Sequence, residues 1–127
     1  MAGMTALIVD DSSVMRKIVE RALRQAGLDL IQVLEAANGV EGLQALEQHR
    51  VDLIISDINM PSMNGLEFLR QMQSRSLAQG VPVVMITTES GADHVREALA
   101  AGAQGYIRKP FTPDQVRERV LPLLAAV

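Results

Sequence analysis

The sequence predicts a doubly wound α/β domain, a parallel sheet with helices packed on both of its faces. Three observations lead there. Five short aliphatic or β-branched runs alternate with longer stretches of helical periodicity, the pattern left by repeated right-handed crossovers. The run from Val81 to Thr87 is apolar almost throughout, as in a parallel strand buried on both faces. Polar residues gather where the runs end, and in sheets of this class ligands bind beyond the carboxyl ends of the strands.

The first strand spans Thr5 to Asp10 and leads into a helix from about Ser13 to Ala26, with Gly27 as its stop. Val14, Ile18, Val19, Ala22 and Leu23 recur at helical spacing and form its expected core face. A second strand, Ile31 to Ala36, precedes a helix from about Val40 to Gln48 whose Val40, Leu43 and Leu46 row points inward. The third strand, Asp52 to Ser56, ends in Asp57; a loop from Ile58 to Gly65 follows, then a helix from about Leu66 to Ser74. The fourth strand is Val81 to Thr87, and the helix after it runs from about Asp93 to Ala101 and stops at Gly102. Tyr106 and Ile107 centre a short fifth strand, and the last helix begins near Thr112. Asp10 and Asp11 thus close the first strand, Asp57 the third, Thr87 and Thr88 the fourth, and Lys109 the fifth.

Composition removes several functions. The 127 residues suit one domain, and 48% hydrophobic with 21% charged residues is ordinary for a globular core. A net charge of −3 argues against a nucleic-acid partner, and one Tyr with two Phe cannot build a base-stacking surface. Without cysteine there is no disulfide scaffold, zinc finger or thiol nucleophile. The start lacks a basic region and Asp10 and Asp11 cut the first apolar run, so neither signal peptide nor membrane span is expected, and the expected compartment is the cytoplasm.

What remains is acid chemistry. Carboxylates converging on one spot repel each other by roughly 4 kcal/mol per pair at 4 Å with an effective dielectric of about 20. A positive charge must sit among them. Oxygen ligands suit a hard ion such as Mg²⁺, whereas His49 and His94 belong to no ligand pattern. Mg²⁺ at Asp11 and Asp57, with the Lys109 ammonium, would neutralise the oxygens of a phosphoryl group in transit, and one carboxylate could be the nucleophile. Each residue alone also has a plainer use. Asp10 and Asp11 before Ser12-Ser13 read as helix capping, Asp57 before Met60-Pro61 as turn chemistry, and Tyr106 as core. Of 12 Lys and Arg residues only Lys17 and Lys109 are lysines, which makes Lys109 mildly informative.

Four blocks occur in order: Leu7-Ile8-Val9-Asp10-Asp11-Ser12-Ser13-Val14-Met15-Arg16, Ile55-Ser56-Asp57-Ile58-Asn59-Met60-Pro61-Ser62-Met63-Asn64-Gly65, Met85-Ile86-Thr87-Thr88-Glu89, and Gly105-Tyr106-Ile107-Arg108-Lys109-Pro110-Phe111. Through them the chain, from residue 4 to about 125, resembles the receiver domain of the two-component response-regulator family, and within it the single-domain chemotaxis type. The resemblance implies a flavodoxin-like five-stranded sheet in the order 2-1-3-4-5. It makes Asp57 the acceptor of a phosphoryl group from a histidine kinase. Mg²⁺ would be ligated by Asp11, Asp57 and the backbone carbonyl of Asn59, and by Asp10 through a water. Thr87 would hydrogen-bond the attached phosphoryl group, Lys109 would pair with it, and the Lys109–Pro110 peptide would be cis.

The resemblance also implies an output. As Thr87 is drawn inward, the aromatic ring of Tyr106 would turn into the space it leaves, with Ser90-Gly91-Ala92 as a compliant junction. The face made by the fourth helix, fifth strand and fifth helix would bind a target, with Arg96, Tyr106, Arg108, Arg117 and Arg119 on it. Asn59 and Glu89 would flank the path of the water that resets the switch, giving a short-lived acyl phosphate. The implied partners are a histidine kinase, a flagellar motor switch protein or other target, and a phosphatase; no nucleic acid and no membrane is expected, and the free protein is expected to be a monomer. Because the chain ends at Val127, output through a partner protein rather than an attached domain is the expectation.

Two positions depart from the family pattern. Pro122 lies where the last helix should continue and is expected to kink or end it. Ile58 stands where chemotaxis members can carry a bulky aromatic, so access for small phosphodonors is expected to differ. A phosphate sink or relay outside chemotaxis is the alternative within the family. A Mg²⁺-dependent phosphohydrolase of the aspartate-nucleophile type is the distant one, disfavoured because its nucleophile lies on the first strand with a second acid two residues on, where this chain has Asn59 after Asp57. A dinucleotide site is excluded: the first turn lacks Gly-x-Gly-x-x-Gly and sets Asp10 and Asp11 against a pyrophosphate.

Overall fold

A computed structural model describes residues 3–87 and 92–125 of the chain. Strands and helices alternate: β1 (Met4–Val9), α1 (Ser13–Gln25), β2 (Leu30–Ala36), α2 (Gly39–Gln48), β3 (Leu53–Asp57), α3 (Gly65–Ser74), β4 (Val83–Thr87), α4 (Ala92–Ala100), β5 (Gly105–Arg108) and α5 (Pro113–Ala125). All pairings are parallel and the order is β2-β1-β3-β4-β5, the doubly wound arrangement expected. β4 begins at Val83 rather than Val81 because Pro82 has no N–H for the ladder; its carbonyl still accepts from Ile54 N–H at 3.0 Å. β3 begins at Leu53 because Asp52 turns its carboxylate to the Thr5 N–H, 2.8 Å away.

Alternation along the central strands divides the core into two layers. Ala6, Ile8, Leu53, Ile55, Val84 and Ile86 face α1 and α5, whereas Leu7, Val9, Ile54, Val83 and Met85 face α2, α3 and α4. β1, β3 and β4 are buried along their whole length, so their carboxyl ends are fixed points on which a site can be built.

Three expectations about the helices need correction. In α1, Val19, Ala22 and Leu23 are buried, but Val14 is 67% and Ile18 44% exposed. Those two lie four residues apart on a neighbouring stripe, and α1 rolls to bury the 19-22-23-26 stripe instead. In α2, Leu43 and Leu46 are buried while Val40 is 41% exposed. Here glycine sets the rotation. Gly39 lies against Met63, and a Cβ at Gly42 would stand 2.8 Å from a ring carbon of Phe68, so the glycine face rather than Val40 meets α3 and its loop. Finally, α5 continues through Pro122 to Ala125. Pro122 is in the last turn, and the carbonyl it would have bonded belongs to exposed Glu118, within reach of water.

Candidate functional site

Asp10 follows β1 and extends its pairing: the Asp10 N–H donates to the Ala36 carbonyl of β2 at 3.0 Å. Its carboxylate is buried and Oδ1 accepts the Ser12 N–H at 2.9 Å. Ser12 in turn caps α1, its Oγ accepting the Met15 N–H at 3.1 Å. Capping is therefore done by Ser12, and Asp10 and Asp11 are left to the pocket. Asp11 is exposed at its mouth.

Asp57 is the last residue of β3 and is buried between β1 and β4. Its Oδ1 accepts the Ile58 N–H at 2.8 Å. Behind it stands Gly65, the first residue of α3, whose N–H donates to the Ile58 carbonyl at 2.8 Å; a Cβ at position 65 would run into the Asp57 carbonyl oxygen. Only glycine lets α3 start this close to β3. From β5, the Lys109 N–H donates to the Thr87 carbonyl at 2.7 Å, which aims the lysine side chain across the strand ends. Its Nζ lies 3.3 Å from Asp57 Oδ2 and 3.4 Å from Asp10 Oδ2. The Lys109–Pro110 peptide is cis.

One carboxylate oxygen each from Asp10, Asp11 and Asp57 lie within 4.8 Å of one another. Burial pushes the Asp10 carboxyl above its ordinary pKa; the Ser12 N–H opposes this, the Asp57 charge adds to it, and Lys109 opposes it. Lys109 can offset only one of the three carboxylate charges. The donor set is all oxygen, buried on two sides and open at Asp11, which suits a hard divalent ion that keeps several waters. Magnesium fits this chemistry.

The remaining predicted residues fall as follows. Thr87 is buried at the end of β4, in register with Arg108 of β5. Tyr106 is half-buried at the sheet edge, and the Arg119 guanidinium lies 5.6 Å from its ring centroid. Asn59 is exposed in the β3–α3 loop. Thr88, Glu89, Ser90 and Gly91, with the reset role of Glu89 and the proposed junction, lie outside the described residues. Arg96, Arg108 and Arg119 are exposed on α4, β5 and α5. Arg117 departs from the expected face: its Nε donates to the Ala26 carbonyl at 3.3 Å, on the side of α5 that meets α1. With Val116 and Val120 turned to the core, positions 117 and 119 flank opposite sides of that helix.

Two residues of the site had no assigned role in the sequence. Gly65 was legible in principle, as a glycine in the opening turn of a helix just after the loop that follows Asp57. Arg16 was not. Its Nη1 donates to the Asp10 carbonyl at 2.6 Å and its Nε to Glu35 Oε1 at 2.8 Å, a partner 19 positions away. It reaches Asp10 from the backbone side and leaves the carboxylate pocket to Lys109.

Fold and pocket define a doubly wound α/β domain whose acidic site sits at the strand ends. The response regulator receiver domain model matches residues 6–121, and the chain belongs to that family. It is a receiver domain of the CheY type, and the curated relatives it matches are chemotaxis proteins. It is 43% identical over 122 residues to a chemotaxis protein CheY homolog of Campylobacter jejuni, covering 95% of this chain and 92% of the relative. To the chemotaxis protein CheY1 of Helicobacter pylori it is 43% identical over 118 residues, 92% of this chain and 94% of the relative. The solved structure of the chemotaxis response regulator CheY4 of Vibrio cholerae superposes with a TM-score of 0.83 at 36% identity, covering 97% of this chain and all of that one. Among the described residues no helix is long and apolar enough to cross a membrane.

Proposed function

We propose that the protein is a phosphorylation-activated switch of a chemotaxis two-component system, working in the cytoplasm as a single receiver domain. The observation that carries this reading is the Lys109 ammonium set between Asp57 and Asp10 at the carboxyl ends of the strands, 3.3 and 3.4 Å from their oxygens. Asp57 is the nucleophile. One of its carboxylate oxygens bonds to the phosphorus of a kinase phosphohistidine while the P–N bond breaks and the departing imidazole nitrogen takes a proton. Mg²⁺, when bound, would supply positive charge that draws electron density from the phosphoryl oxygens; Asp11, Asp57 and the Asn59 carbonyl would hold it, with Asp10 acting through water. Lys109 exchanges its bond to Asp57 for one to a phosphoryl oxygen, and the Thr87 hydroxyl donates to another.

The new group carries roughly −1.5 to −2 charges where one carboxylate charge stood. Thr87 follows it inward, Tyr106 leaves Arg119 for the space vacated, and the face formed by Arg96, Tyr106, Arg108 and Arg119 changes shape. A flagellar motor switch protein is the target this reading favours. Asn59 and Glu89 govern the water that hydrolyses the acyl phosphate. The protein catalyses only its own phosphorylation and dephosphorylation.

Mass spectrometry after incubation with acetyl phosphate and Mg²⁺ tests the assignment. A hydroxylamine-labile phosphoryl adduct is expected on the wild type and none on Asp57→Asn; an adduct that survives in the variant overturns it.

A further inference from the structure

Arg16 takes no part in the reaction just described, yet it is bound on two sides. It sits in the first turn of α1, where the helix dipole disfavours a cation and no acidic residue of that turn offsets it. Its side chain is only 16% exposed. The guanidinium divides its donors between the Asp10 carbonyl, 2.6 Å, and Glu35 of β2, 2.8 Å. The second oxygen of Glu35 is taken by Lys17 Nζ at 3.0 Å, so the carboxylate that braces Arg16 is itself held from both sides.

We propose that Arg16, braced by Glu35, is a positioning residue that orients Asp11 for Mg²⁺ through the peptide that joins Asp10 to Asp11. The Asp10 carbonyl and the Asp11 N–H share one planar unit, so fixing the carbonyl fixes the direction in which the chain enters Asp11. Asp10 is already anchored on its amino side by the bond to Ala36, and Arg16 supplies the anchor on its carboxyl side. Released from Arg16, Asp11 would turn on an exposed loop and be ordered only when the ion arrives, which weakens binding. This inference rests on the reading of the acidic pocket as a Mg²⁺ site.

The test is the Mg²⁺ dissociation constant of the folded full chain, measured by calorimetry without any phosphodonor. Arg16→Gln is expected to weaken Mg²⁺ about tenfold, within the range seen when partners behind a metal ligand are removed. The sign discriminates: deleting a positive charge near the ion would by electrostatics alone tighten binding. Glu35→Gln is expected to weaken binding by a smaller factor, and the double variant no more than Arg16→Gln alone, since both act through one contact. Arg16→Lys, which keeps the charge but not the forked geometry, is expected to fall between wild type and Arg16→Gln. Mg²⁺ affinity equal to or tighter than wild type in Arg16→Gln overturns the inference. Should that variant not fold, unchanged affinity in Glu35→Gln overturns it. A wild-type chain that binds no Mg²⁺ overturns the reading of the pocket itself, and the inference with it.

Discussion

Asp10 is a buried carboxylate whose ionisation the pocket opposes. Its pKa is raised chiefly by burial, an effect the Ser12 N–H opposes and the Asp57 charge reinforces. A carboxyl that is harder to ionise folded than unfolded contributes its full stability below the ordinary value of 3.8, and that contribution is lost as pH rises through the folded pKa. Asp10→Asn is therefore expected to melt a few degrees above wild type at pH 7 in metal-free buffer. The gap should close on acidification towards pH 3.8, and thermal melts across that range check it. Bound Mg²⁺ relieves the same conflict. At a hundredfold excess over Kd, linkage gives about 2.7 kcal/mol of stabilisation, which chelation removes and which Asp11→Asn should largely abolish in denaturant titrations.

At the scale of elements, Asp57 is held by how closely α3 can begin. Gly65→Ala forces a methyl against the Asp57 backbone, and either β3 or the start of α3 must shift. A loss of about 1–3 kcal/mol in urea unfolding is expected, together with slower labelling by acetyl phosphate. α5 begins with a reciprocal cap: Thr112 Oγ1 accepts the Gln115 N–H at 3.2 Å and Gln115 Oε1 accepts the Thr112 N–H at 2.9 Å, with Pro113 at the first helical position. Thr112→Ala should cost about 1 kcal/mol by the same measurement. This start, together with Val116 and Val120 packed in the core, is what lets α5 run on past Pro122.

The whole molecule is a sheet with two cores, and the rotation of each helix decides which apolar residues matter. Ile55, buried in the layer beneath α1 and α5, should lose about 2–5 kcal/mol on truncation to Ala. Ile18, 44% exposed, should stay within about 0.5 kcal/mol. Ile18 was a candidate core residue by spacing alone, so a loss equal to that of Ile55 in urea unfolding would show that the burial assigned to α1 is wrong. The same sheet brings Lys109 to Asp57 across 52 positions of sequence and Arg119 to Tyr106 from α5 to β5.

Local periodicity by itself determined the alternation of strands and helices, the burial of β4 and the positions of Asp10, Asp11, Asp57, Thr87 and Lys109 at strand ends, because side-chain period is a property of neighbours along the chain. The motif blocks added the strand order and the acidic pocket. Only tertiary structure decided that α1 turns Val14 and Ile18 outward, that α2 packs by Gly39 and Gly42, that Arg117 faces α1, and that Arg16 clasps Asp10 and Glu35. Two apolar stripes on one helix are equivalent to a periodicity argument, and a pairing between distant residues leaves no mark on the spacing of either. Packing against a particular neighbour breaks the tie.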